Sequence, residues 1–254
     1  MKIIISILLI SVVAAVANAG DIKSGNDLIA AMHNKYAGKW YTTLTFRQET
    51  TNYKPDGTSE KSIWYEALNA PGSLRIDFEP LDKHEGVLFT AGKVYSFKDG
   101  KLAASRDFAH PLLILGFDVY AQPVETTIAQ VKAMNIDLST IHEEMWQSRT
   151  VYVVGAKQGD LKTPQFWVDK KNLLFVRLFE LVGKENKNVA ETQFNKYVKS
   201  GGGWVAAEVQ FFIDGKPRTT EEYSEIKTGR KLDQSLWDSE KWFTVDRSYV
   251  DQKK

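Results

Sequence analysis

Residues 110–120, His-Pro-Leu-Leu-Ile-Leu-Gly-Phe-Asp-Val-Tyr, constrain this chain more than any other stretch. They form a dense apolar, helix-competent insert in the middle of a long run of strand patterns. A sheet needs no such insert to complete itself. The insert must therefore bury its apolar face against the sheet or present that face to a ligand.

The strand patterns on either side are clear. In residues 40–51, Trp40, Thr42, Leu44 and Phe46 share one face, while Tyr41, Thr43, Thr45 and Arg47 share the other. Leu74, Ile76 and Phe78 alternate with Arg75, Asp77 and Glu79, the pattern of a half-buried strand. Lys54-Pro55-Asp56-Gly57, Asn69-Ala70-Pro71-Gly72 and Asp99-Gly100 turn the chain between strands. Further strand patterns resume near residue 150 and continue to about residue 226. Periodicity leaves 136–147 undecided between strand and helix. Ahead of the strands, Ser24 and Asp27 have capping-box spacing, and Leu28, Ile29, Met32 and Tyr36 fall on one helical face that Gly38 ends. Within the insert, Val124, Ile128, Val131 and Met134 continue with helical spacing after Pro123. The whole predicts a mainly β, α+β fold: an incomplete, strongly curved antiparallel barrel of about eleven strands. The N-terminal helix and the mid-chain insert close it.

Residues 1–19 read as an export leader, with Lys2, an apolar run, and Ala17-Asn18-Ala19 as the cleavage site. Removing 19 of 254 residues leaves 235 (20–254), a length one β domain can reach. The chain has 33 basic and 32 acidic residues, and Lys2 is the only charge in the leader, so cleavage leaves 32 of each. That balance gives no electrostatic reason to expect nucleic acid. Cysteine is absent, so no disulfide framework and no acylated cysteine anchor are expected. The expected product is a soluble exported protein.

No catalytic or metal-binding constellation competes with this picture. His33, His84, His110 and His142 show no ligand spacing such as HExxH. Asp82, His84 and Glu85 form the densest ionisable cluster, but a charged turn explains them as well as acid–base chemistry does. The Gly201-Gly202-Gly203 run lies between strands and reads as a hairpin loop, not a phosphate cradle. No cofactor is implied. An apolar cover over a cavity has an energetic rationale. A buried acyl chain contributes about 0.8 kcal/mol per methylene, roughly 10 kcal/mol for an ordinary chain. An empty cavity able to supply that would expose more apolar surface than soluble monomers tolerate.

The motif order resembles the periplasmic lipoprotein carriers of the LolA/LolB superfamily. The phrases that carry the resemblance are Thr43-Leu44-Thr45-Phe46-Arg47-Gln48, Ile63-Trp64-Tyr65 before Asn69-Ala70-Pro71, and Leu74-Arg75-Ile76-Asp77-Phe78. Gly92-Lys93-Val94-Tyr95, Gln165-Phe166-Trp167-Val168-Asp169 and Phe243-Thr244-Val245 continue it. The resemblance implies an incomplete barrel with an apolar cavity for acyl chains. Carried over by position, Leu44, Phe46, Trp64, Ile76, Phe78 and Phe89 would line the wall, and Leu112, Leu115 and Phe117 would belong to the cover. It further implies a monomeric periplasmic carrier, or chaperone, of lipid or acylated lipoprotein, with an inner-membrane donor and an outer-membrane acceptor. The competing expectation is a secreted structural β module without ligand. One departure stands out. Strict LolA-type carriers have an arginine just before the proline of the turn matched by Asn69-Ala70-Pro71, which hydrogen-bonds the lid shut; here that residue is Ala70. Arg75 and Arg47 are the nearest candidates for the role.

Overall fold

In the computed structural model, which describes residues 21–250, Ser24 starts the first helix as its spacing predicts. Its Oγ accepts from the Asp27 backbone N–H at 3.2 Å and donates to the Asp27 carboxylate at 2.8 Å. The same carboxylate accepts the Lys23 N–H at 3.1 Å, so side chains satisfy donors that the first turn leaves open. The helix, α1 (Gly25–Tyr36), buries Leu28, Ile29 and Met32 completely. Ser24→Ala is expected to lower stability by about 1 kcal/mol. Urea titration checks it, and an unchanged midpoint would mean that burial alone holds the helix.

Six strands follow: β1 (Thr43–Tyr53), β2 (Ser59–Asn69), β3 (Ser73–Phe78), β4 (Gly86–Thr90), β5 (Lys93–Lys98) and β6 (Lys101–Asp107). The insert folds as α2 (Pro111–Gly116), a 3-10 turn at Asp118–Tyr120, and α3 (Val124–Ala133). Seven strands complete the fold: β7 (Ile141–Trp146), β8 (Arg149–Val154), β9 (Gln165–Asp169), β10 (Leu174–Val182), β11 (Asn188–Ser200), β12 (Gly203–Ile213) and β13 (Lys216–Thr228). Thirteen strands replace the expected eleven or so. The undecided segment 136–147 contains β7, an edge strand with no fully buried residue, which is why its alternation is weak.

All thirteen strands form one antiparallel sheet in the order β6-β5-β4-β3-β2-β1-β13-β12-β11-β10-β9-β8-β7. The first and last strands pair at its centre, with Gln48 opposite Tyr223 and Thr50 opposite Glu221. The sheet does not close, because β6 and β7 are its two free edges. Those two strands are consecutive in sequence, so the helical insert is the link from one edge to the other. The insert therefore runs across the concave side. The leader expected at residues 1–19 lies outside the described residues. Among the described residues no helix is long and apolar enough to cross a membrane.

The main core lies between the concave face and the helices. Leu44, Leu68, Phe166, Val168, Phe175 and Leu178 of the sheet meet Leu28, Ile29 and Met32 of α1 and Leu115, Val119 and Val131 of the insert. Tyr120 pins the end of the insert, stacking on Trp40 at 4.0 Å. Its hydroxyl donates to the Leu173 carbonyl and accepts the Phe175 N–H. The glycine triplet is tied to the same region rather than left as an open loop. A side chain at Gly203 would strike the Trp40 ring at 2.7 Å, and one at Gly202 the Lys39 carbonyl at 2.2 Å.

The convex face carries its own apolar clusters. Val151, Val153, Trp167, Val176 and Phe179 form one, where Arg177 lies over the Trp167 and Phe179 rings, at 4.4 Å from each, and pairs with Glu191. Behind β2–β5, the chain after β13 folds back as a strap. Leu236, Tyr249 and Val250 cover Ala67, and Trp242 packs with Leu88 and Phe97.

Candidate functional site

Strand alternation places Phe46, Glu66, Trp64, Leu74, Ile76, Tyr223, Glu221, Phe211 and Phe194 on the concave face. Pro111 opens α2 at its first position, and His110 caps it: the His110 Nδ1 accepts the Leu112 N–H at 3.2 Å. These two arrangements leave a hollow of about 130 Å³ between wall and cover. Leu112, Leu113, Phe117 and His110 form its roof, facing the sheet residues just named and Leu68. A second hollow of about 70 Å³ lies beside it, bounded by Phe89, Phe108, Ile114 and Asp118 among others. His110 and Leu113 stand in the walls of both.

Of the residues the resemblance singled out, Phe46, Trp64, Ile76, Leu112 and Phe117 converge on the larger hollow. Phe89 borders the smaller one. Phe78 is set against Trp64 at 4.8 Å beside the larger hollow without bounding it. Leu44 and Leu115 are fully buried in the core away from both hollows. Leu113, His110, Leu68, Leu74, Phe194, Phe211, Tyr223, Glu66 and Glu221 are wall residues that sequence reasoning passed over. The alternation of β2 and β13 was the available signal for the last three, since Glu66 shares a face with Trp64 and Leu68 and Glu221 shares one with Tyr223.

The polar side of the hollow is acidic. Glu66 is 5% exposed, makes no hydrogen bond, and has its carboxyl pushed well above the usual range by burial and by Glu221. Glu221 accepts the Tyr223 hydroxyl at 2.8 Å, and burial lifts its carboxyl to about 7. Tyr223 also stacks on Phe46 at 4.2 Å. Burial lowers His110 to about 4, which keeps its imidazole neutral. With Nδ1 accepting, the proton is on Nε2. Gln48, opposite both Trp64 and Tyr223, leaves its buried Oε1 without a partner.

The Asp82, His84, Glu85 cluster lies on the convex side. The His84 ring packs on Phe243 at 4.4 Å, its Nδ1 is buried without a partner, and neither carboxylate hydrogen-bonds to it. Asp82 borders an open groove of about 1230 Å³ with Arg47, Lys61, Tyr65, Glu79 and Glu225. Among the described residues no cluster could hold a metal ion.

No protein-family model and no curated protein matches the chain. Solved structures do. A DUF1329 family protein from Desulfovibrio piger superposes with a TM-score of 0.57 at 15% identity, covering 84% of this chain and 95% of that one. A Vibrio parahaemolyticus domain named for outer membrane lipoprotein sorting gives 0.59 at 10% identity, over 86% and 98%. A LolA superfamily protein from Nitrosomonas europaea gives 0.51 at 11% identity, over 82% and 96%. The chain has the LolA/LolB-like fold.

In this LolA-like fold the two arginines nearest to Ala70 lie away from the insert. Arg75 and Arg47 both face the convex side, Arg75 beneath the strap and Arg47 on the open groove. Neither reaches the cover. Asp118, at the end of the cover, accepts the Gly72 N–H at 3.0 Å instead. It is 2% exposed, and burial raises its carboxyl to about 7. The turn after Ala70 is thus tied to the insert through a backbone donor and an acid.

Proposed function

We propose that this protein is a carrier of the cell envelope that shields acyl chains of lipids or lipoproteins beneath residues 110–117. The observation that carries the reading is the hollow itself, walled by Phe46, Trp64, Ile76, Leu112, Leu113 and Phe117 in a LolA-like frame. On this reading the protein works in the periplasm as a soluble monomer between a donor and an acceptor membrane, and no side chain has a catalytic role. At about 130 Å³ the hollow is close to the roughly 150 Å³ cavity that admits benzene and below the usual 300–1,000 Å³ ligand range. A full chain must therefore displace Leu112, Leu113 or Phe117. The half-buried Leu112 is the side chain that can move at least cost.

The test is a titration with a pyrene-tailed alkanol. Wild type is expected to bind it, and Leu112→Trp, which fills the hollow from its roof, is expected to weaken binding more than tenfold with little change in the thermal midpoint. Equal binding by both would remove the hollow from the mechanism. Leu115 is a poor probe, because a charge placed at this fully buried position would unfold the core. A second reading, a structural module without ligand, is favoured by the close packing of Ile114 and Leu115. It would be established by no binding in wild type and no lipid co-purifying in native mass spectra.

A further inference from the structure

The acids in the hollow are not accounted for by acyl-chain binding. A hydrocarbon tail needs only the apolar wall, yet Glu66 is almost fully buried there with no hydrogen-bond partner. A buried carboxyl without a partner costs stability, and a leucine would pack in its place. Glu221 borders the same hollow and accepts the Tyr223 hydroxyl. None of the wall residues is a lysine or arginine, and the one histidine is neutral. The remaining wall offers the aromatic side chains Phe46, Trp64, Phe211 and Tyr223.

We propose that the hollow selects amphiphiles with a cationic head, an alkylammonium group, held by Glu66 and Glu221 among these rings while the tail lies under Leu112, Leu113 and Phe117. This rests on the carrier reading and names its ligand class. Carboxylates and aromatic faces both attract ammonium groups, the rings through their negative π-faces. An anionic head meets the opposite situation. It brings a negative charge to a site with no basic side chain to balance it, and it would hold both carboxyls in their protonated form. A neutral head gains at most a hydrogen bond from the protonated acids. The cation also corrects the free-state defect, since it supplies Glu66 with the partner it lacks.

The experiment compares ligands of one tail length: dodecylamine, dodecanol and dodecanoate, each displacing the pyrene-tailed alkanol at neutral pH below its micellar concentration. The amine is expected to displace the probe at a concentration at least tenfold lower than the alcohol, with dodecanoate weakest. Glu66→Gln is expected to bring the amine to the level of the alcohol. Glu221→Gln serves the same purpose should the first variant fold poorly, and the wild-type ranking decides without either. Alcohol or dodecanoate binding as tightly as the amine would overturn the proposal and leave the carrier reading standing. So would an amine preference that survives both variants. Failure of the probe and of all three ligands to bind would overturn the carrier reading together with the proposal.

Discussion

Asp77→Ala is expected to destabilise the protein by about 3–5 kcal/mol, the range for removing one partner of a buried ion pair. Arg75 and Asp77 are both fully buried behind β3, joined by Nε and Nη2 hydrogen bonds of 2.7 and 2.9 Å. Trp242 lies over the guanidinium at 3.7 Å and stacks on Phe97 at 4.2 Å. Arg247 and the Tyr249 hydroxyl also reach the Asp77 carboxylate. The pair therefore fastens the strap to the back of the same strand whose front carries Ile76 and Leu74 into the hollow. Without Asp77 the Arg75 charge stays buried opposite no carboxylate, and the strap loses two of its polar contacts. The double variant Arg75→Met, Asp77→Leu should recover part of the loss, because it removes the unpaired Arg75 charge while the strap contacts of Arg247 and Tyr249 stay broken. Urea unfolding with tryptophan fluorescence reads both effects. A single-variant loss below about 1 kcal/mol, against that expected range, would mean that the strap is held by apolar contact alone.

Stability is expected to fall as pH rises from about 5 to about 8, because four buried acids hold their protons more tightly in the folded protein. Glu221 and Asp118 are raised to about 7, Glu66 well above its ordinary value, and Glu180 is raised by burial. Each of these acids binds its proton more tightly in the folded protein. Its contribution is fully present below the unfolded carboxylic value and is lost as pH passes through the folded one. His110, which shares the hollow with Glu66, Glu221 and Tyr223, has the opposite sign. Lowered to about 4, it disfavours folding below the ordinary histidine value, so it offsets one acid in the acidic part of the range and nothing above it. Thermal midpoints across pH check the slope. Glu66→Gln with Glu221→Gln should flatten it, and a wild-type midpoint that rises with pH would contradict the burial assigned to these acids.

The apolar side of the candidate site came from the resemblance, which carried Phe46, Trp64 and Ile76 over by position. Strand parity grouped Ile76 with Leu74 and Phe78 opposite Arg75 and Asp77, but it did not say which face points inward. Leu115 was not separable from Leu112 in the same way, since a short insert that is apolar on every side has no face to read. Glu66 and Glu221 escaped notice for another reason. A lone acid in a strand is ordinarily solvated, and their shared hollow exists only because β1 pairs with both β2 and β13. Phe243-Thr244-Val245 entered the resemblance, but the packing of the strap was likewise hidden, its Trp242 and Tyr249 showing no period.

The residue order by itself determined the local elements: the cap at Ser24, the alternation of β1 to β3, the turns between them, and the presence of a helical interruption. These depend on interactions a few residues apart, which sequence spacing expresses directly. Only the tertiary structure decided that β1 meets β13, which leaves β6 and β7 as free edges and sends the insert across the concave side. It also decided how much space remains beneath that insert. Strand order and cavity volume are set by contacts between distant segments and by how closely side chains interdigitate, and neither leaves a periodic trace in the chain.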